Sequence, residues 1–195
     1  MKIIKPTSLI ILVLLLFSQT IFSQGFLHRE GKYIYDGDGN EVILRGIGTG
    51  NWMIQEGYMM QTAGVAGTQH EFRAKLENTI GVEKTDSFYT AWLDSHFRRI
   101  DVDSMKSWGF NSVRVAMHYK WFTPPIEDEP VSGEITWLET GFTMMDSLLD
   151  WCSDNEMYLI LDMHGAPGGQ GKNADISDYD PSKPSLWESQ DNKVK

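Results

Sequence analysis

Asp162 and His164 are the residues of this sequence whose types and spacing most clearly suggest chemistry. They lie at the end of the segment 158–163 and directly after it, and this segment is too short for a typical helix and rich in large apolar residues, so a buried strand is favoured. Side chains alternate along a strand, which puts Ile160, Asp162 and His164 on one face. A loop rich in glycine follows at 165–171. A buried strand that becomes polar only at its carboxyl end is typical of an active-site rim.

Two earlier segments have the same arrangement of an apolar strand followed by polar or aromatic residues. The predicted strands are 42–48 and 111–117. The residues within them or just beyond them that could line a pocket are Asn51, Trp52, Glu56, Arg114, His118 and Tyr119. The carboxyl ends of parallel strands lie along one edge of a sheet, so we expect these side chains to share a single pocket with Asp162 and His164.

The segments between the strands indicate helices. Apolar periodicity and capping residues predict them over 66–78, 86–97, 101–108 and 142–152, with a further helical stretch from 185 to 195. Asp86 and Asp101 are the predicted caps of the second and third helices, and Thr136 with Glu139 forms a capping-box pattern before the fourth. This alternation predicts an α/β fold with a parallel sheet and right-handed crossovers. A β-hairpin over 26–43, turning at 36–40, precedes it.

The amino terminus has the layout of a secretory signal peptide. Lys2 and Lys5 precede an apolar run over 9–17, and cleavage is expected after Ser23. The run is shorter than the ~20 residues of a spanning helix, although a single membrane anchor is the alternative. We therefore expect a secreted or periplasmic protein whose folded domain is 24–195, with no stable membrane insertion after cleavage.

The composition of the chain limits the kinds of ligand and partner that it could bind. The formal net charge of −10 argues against nucleic acid, whose phosphates demand basic surfaces, and is compatible with a neutral ligand. Cys152 is the single cysteine, so no intramolecular disulfide forms, and its place on a helix face favours burial as a small apolar residue. Asp162, His164 and His118 could also hold a metal, and so could the aspartates around 36–40, but neither spacing supports it. The aspartates at 175, 178 and 180 could bind calcium, but a solvated loop is expected there. No metal or cofactor is expected.

Three segments, in this order, resemble the first three barrel strands of glycoside hydrolase family 5, the family of cellulases and β-glucanases. They read LRGIGTGNW (44–52), GFNSVRVAMHYKWF (109–122) and LILDMHGAPGGQ (159–170). The resemblance implies an incomplete (β/α)8 TIM barrel, with about the first three β/α units present and the hairpin before them. Ala116 and Gly48 depart from the proline and asparagine usual in the family, which leaves the subfamily open.

The resemblance also implies roles for individual residues. Arg114 matches the arginine beside the catalytic nucleophile, and His164 the histidine that binds hydroxyls of the sugar at the cleavage subsite. Glu56 matches a carboxylate that binds the outer hydroxyls of the same sugar. The two catalytic glutamates of this retaining family belong after the fourth and seventh strands, so we expect neither in this chain, which would be the amino-terminal portion of the enzyme.

Several of these residues also have a structural interpretation. Asp162 is expected to brace the histidine, and Arg114 could join two strands through an ion pair. Trp52, His118 and Tyr119 either border the sugar cleft or pack in the barrel. For the protein as a whole, the prediction is an exported hydrolase of β-linked glucan; the alternatives are a non-catalytic carbohydrate-binding barrel and a hydrolase of another β-polysaccharide such as mannan.

Overall fold

A computed structural model describes residues 26–195, which form two compact units that divide between Ile43 and Leu44. The predicted signal peptide, 1–23, lies outside the described residues. Among the helices of the described part, none is long and apolar enough to cross a membrane.

The first unit contains an antiparallel hairpin of β1 (His28–Glu30) and β2 (Tyr33–Tyr35). It turns at Gly31, whose φ of +58° suits a residue without a Cβ, and this turn was not predicted. The expected turn at 36–40 does form, because the Asp36 carboxylate accepts the N–H groups of residues 38 and 40. It leads only to a single bridge between Tyr35 and Glu41.

The second unit is built on a three-stranded parallel sheet in the order β3-β4-β5. The strands are β3 (Gly46–Gly48), β4 (Ser112–His118) and β5 (Tyr158–Gly165). The three predicted strands are therefore confirmed, although β3 is shorter than expected. Gly46 lets β3 approach β4 closely, since a Cβ there would lie 2.5 Å from the Ser112 hydroxyl oxygen.

Helices fill the connections between the strands. They are α1 (Gly57–Met60), α2 (Gln69–Ile80), α3 (Val82–His96), α4 (Arg99–Ser107), α5 (Glu139–Asp154), α6 (Ala174–Ser177) and α7 (Gln190–Val194). Three predicted caps were wrong, and the first is Asp101, which lies inside α4 because that helix begins after Arg98. Asp86 lies inside α3, which begins after Gly81. Thr136 does not cap α5, which begins after Leu138, and its N–H donates to Glu129 instead.

Alternation along β4 separates the apolar core from the polar face. Val113, Val115 and Met117 belong to the buried cluster, together with core residues of α3, α4 and α5. The residues between them point to the other face of β4, which carries the charged group of Arg114. Cys152 of α5 is buried in the same cluster, as expected, and burial raises the pKa of its thiol to about 11.

Adjacent leucines of α5 provide a matched test of this core. Leu148 is fully buried, whereas Leu149 is 54 % exposed. Replacing Leu148 with alanine removes apolar contacts and leaves a cavity, so we expect a loss of about 2–5 kcal/mol in the free energy of unfolding. Urea titration followed by circular dichroism measures it. Leu149→Ala should cost far less, and equal losses for the two variants would contradict this packing.

Candidate active site

The carboxyl edge of the sheet carries a cluster of charged and polar side chains, the strand-end cluster of Glu56, Arg114, Asp162 and His164. Register brings the last three together, because Arg114 pairs with Ile160 and Asp162 lies two residues further along the same face of β5. The Arg114 guanidinium forms an ion pair with Asp162, and its Nη2 lies 3.0 Å from Nδ1 of His164. The structural alternative for Arg114, an ion pair between strands, is therefore present.

His164 lies between two carboxylates. Its Nδ1 is 2.9 Å from Oδ2 of Asp162, and its Nε2 is 3.1 Å from Oε1 of Glu56. Asp162 thus braces the histidine, as expected. With its hydrogen on Nδ1 the ring donates to Asp162, and with its hydrogen on Nε2 the ring accepts the Arg114 N–H at Nδ1. Nδ1 is hydrogen-bonded in either tautomer, whereas Nε2 faces the Glu56 carboxylate without a hydrogen bond to it and stays available to a ligand.

Glu56 reaches the cluster from the turn after β3. Its backbone N–H donates to the side-chain oxygen of Asn51 over 3.0 Å, which fixes the turn. The Glu56 side chain is only 5 % exposed and its Oε2 has no hydrogen-bond partner of ordinary length among residues 26–195. Interaction with this carboxylate raises the pKa of the nearby Tyr58 hydroxyl. Direct contact between Glu56 and a ligand would require this enclosed oxygen to become accessible.

The other members of the strand-end cluster are open to solvent. Side-chain exposure is 47 % for Arg114, 29 % for Asp162 and 20 % for His164. The open side of the cluster therefore presents a cation, an anion and an imidazole. These groups together donate and accept hydrogen bonds, which suits a ligand rich in hydroxyls.

The loop after β5 is fastened to His164. The Gln170 side-chain amide donates to the carbonyl of His164, and its oxygen accepts the N–H of Ala166 over 3.1 Å. The Trp187 indole N–H donates to the Gln170 carbonyl over 2.7 Å. These hydrogen bonds therefore hold the glycine-rich loop in a defined conformation.

Three of the six predicted binding residues lie outside the strand-end cluster. Trp52 is buried in the apolar core, where its indole N–H donates to the Leu93 carbonyl over 2.8 Å, so its predicted place in the pocket was wrong. His118 is also fully buried, because the register shifts after Met117 and the ring turns into the protein. Tyr119 stacks on His118 and lines a separate cavity of 480 Å³.

Sequence reasoning missed a second polar cluster, the Asp178 cluster of His70, His118 and Asp178. Asp178 was expected in a solvated loop, yet its carboxylate is buried between the two histidines. Their separation of 60 and 108 residues leaves no local spacing that could reveal the contact. In the sequence, the position of His118 at the end of a buried strand was the only feature that pointed to this contact.

The pKa values in the Asp178 cluster follow from burial and pairing. Burial would raise the pKa of Asp178, but hydrogen bonds from His118 and His70 outweigh it and hold that pKa below its usual range. Its bond to Asp178 raises the pKa of His70, whereas burial lowers that of His118. Within the described range, 26–195, no group of three or more histidine, cysteine or acidic residues is arranged to hold a metal ion.

A parallel sheet whose connections are helices and whose charged residues meet at the carboxyl edge is typical of α/β enzymes, barrels among them. The rutinosidase from Aspergillus niger has the same fold, with a TM-score of 0.52 and 18 % identity over 69 % of this chain and 36 % of that one. The family model for cellulase (glycosyl hydrolase family 5) matches residues 65–191. The chain belongs to glycosyl hydrolase family 5, as the motifs predicted.

Curated relatives agree with this assignment. A β-xylosidase from Phanerodontia chrysosporium is 35 % identical over 167 residues, which cover 85 % of this chain and 33 % of the relative. A glucan 1,3-β-glucosidase from Candida oleophila is 26 % identical over 74 % of this chain and 33 % of its own length. The chain thus spans about a third of the length of these relatives.

Two glycines near Glu56 test how its turn is fixed. A Cβ on Gly57 would lie 2.6 Å from the Gly67 carbonyl oxygen and 2.8 Å from that of Ala66, whereas one on Gly64 would meet nothing. We expect Gly57→Ala to cost about 1–3 kcal/mol in the free energy of unfolding, because two backbone segments must move apart. Gly64→Ala should be neutral or stabilise by up to about 1 kcal/mol. Equal urea midpoints for the two variants would refute the close approach.

Proposed function

We propose that this chain supplies the sugar-binding side of an exported hydrolase that cleaves β-linked glucan with retention at the anomeric carbon. The observation that carries the proposal is the strand-end cluster, in which a histidine fixed between two carboxylates lies beside an exposed arginine. Export rests on the residues of the predicted signal peptide, and places the protein outside the cytoplasm, in the periplasm or beyond.

The residues of the strand-end cluster have different roles, which together suit the binding of a pyranose ring. Asp162 and His164 face solvent, and together they can accept from and donate to hydroxyls of one sugar. Arg114 is always charged, so it keeps any carboxylate placed beside it ionised and oriented. Glu56 faces Nε2 of His164; it binds the sugar itself when its second oxygen becomes accessible.

Bond cleavage in this proposal belongs to two glutamates that the family places beyond the three strands described. One protonates the leaving oxygen and the other attacks the anomeric carbon, with their carboxyl groups ~5–5.5 Å apart. The cluster serves them by holding the sugar in register. No group in it has to transfer a proton to the substrate.

A β-xyloside is the second candidate substrate, favoured by the similarity to the β-xylosidase. A glucoside carries a hydroxymethyl group that a xyloside lacks, so kcat/KM for the two p-nitrophenyl β-glycosides separates the candidates. Binding of laminarin without hydrolysis would favour a carbohydrate-binding barrel, and activity on mannan alone would favour the other polysaccharide class.

The proposal predicts that the full-length protein hydrolyses laminarin or p-nitrophenyl β-glucoside and that His164→Ala lowers kcat/KM about 10²-fold, because the sugar loses its fixed partner. Reducing-sugar and nitrophenol assays measure it. His28→Ala, in the separate first unit, is the matched control and should leave kcat/KM unchanged. Full activity in His164→Ala would contradict the role of the cluster, and an α anomer as the first product seen by NMR would contradict retention.

A further inference from the structure

Asp178 joins three parts of the second unit through one buried carboxylate. Its Oδ1 accepts the backbone N–H of His70 over 2.8 Å and lies 2.7 Å from Nδ1 of the same residue, at the start of α2. Its Oδ2 lies 2.9 Å from Nε2 of His118, at the end of β4. The carboxylate itself comes from the long segment after β5 and is 4 % exposed.

The state of His118 follows from its two contacts. Its Nδ1 accepts the backbone N–H of Lys120 over 3.2 Å, so Nε2 carries the hydrogen and donates it to Asp178. The Lys120 ammonium lies 3.7 Å from the same carboxylate oxygen. An uncompensated buried carboxylate would be costly, and these donors satisfy both of its oxygens.

Asp178 also has an unusual backbone. Its φ is +52°, a left-handed conformation that non-glycine residues rarely adopt and that surrounding contacts must hold. The residues on either side of it pack on the glycine-rich loop: a Cβ on Gly169 would lie 2.9 Å from Tyr179 Cα and 3.2 Å from the Ser177 carbonyl oxygen. Moving Asp178 would therefore move this loop.

The loop and the Asp178 cluster meet at His164. Gln170, next to Gly169, bonds the carbonyl of His164. On the other side, the His118 ring fills the space beside Gly165, where a Cβ would overlap its Cδ2. Gln170 thus holds the carbonyl of His164, and His118 packs against the next residue, Gly165.

We infer that Asp178, through His118 and the glycine-rich loop, is a positioning residue that fixes the backbone and ring of His164 for sugar binding. The inference rests on the proposed function in that the ligand of His164 is a sugar. Asp178 does not touch that ligand. It acts by holding the two supports of His164 at once.

The test is Asp178→Asn in the full-length protein. The single amide oxygen can accept from Nε2 of His118 or from the N–H of His70 but not from both, so one of the two contacts is lost. We expect KM for laminarin to rise at least about tenfold, since small displacements at a binding group are costly. Asp175→Asn, an exposed residue of α6, is the matched control and should not change KM. Loss of folded protein alone lowers the apparent kcat but leaves KM unchanged, which separates positioning from stability.

A second readout does not depend on activity. The ¹H–¹³C signal of the His164 ring, assigned by its loss in His164→Gln, should shift or broaden in Asp178→Asn but not in Asp175→Asn. A shifted signal in a protein that hydrolyses no glycoside would support the positioning role and count against the proposed function alone. Unchanged KM or an unmoved His164 signal in folded Asp178→Asn would overturn the inference. If that variant does not fold, His70→Ala, which keeps the backbone N–H, should give a smaller change in the same direction, and an unmoved His164 signal there would overturn it.

Discussion

A permanently charged guanidinium inside a sheet strand is the constraint on which this structure depends. Arg114 cannot be neutralised by losing a proton, and since its side chain is 47 % exposed, its ion pair with Asp162 serves to orient the two groups. The parallel register supplies Asp162 two residues beyond the paired position. Asp162 then fixes His164, and His164 in turn contacts Glu56 from the first strand end. One charge thus organises groups from all three strands.

The same alternation that exposes Arg114 creates the core. Its neighbours on β4 point to the helices and form a cluster with residues of α3, α4 and α5. On β5, Leu159 packs against this cluster, but Leu161 is 59 % exposed and Met163 is also open to solvent. Among the described residues, the apolar face is therefore complete beneath β4 and uncovered at the far end of β5. The charged residues of the strand-end cluster lie where β4 and β5 adjoin.

Much of this arrangement could be predicted from the sequence, because it depends on local periodicity. Short apolar runs identified β4 and β5, and alternation placed Asp162 and His164 on one face. Predictions failed where tertiary contacts override local signals. Trp52 looked like a pocket residue but satisfies its indole N–H in the core. Thr136 matched a capping box, yet Glu129 takes its N–H. Asp178 could not be foreseen, because its partners lie 60 and 108 residues away.

The central claim is that the strand-end cluster binds one sugar of a β-linked glucan. A crystal structure of the full-length protein with bound laminaribiose tests it most directly. We expect hydroxyls of one sugar within hydrogen-bond distance of His164 and Asp162, with Arg114 still paired to a carboxylate. A disaccharide bound elsewhere, with the cluster facing only solvent or protein, would contradict it.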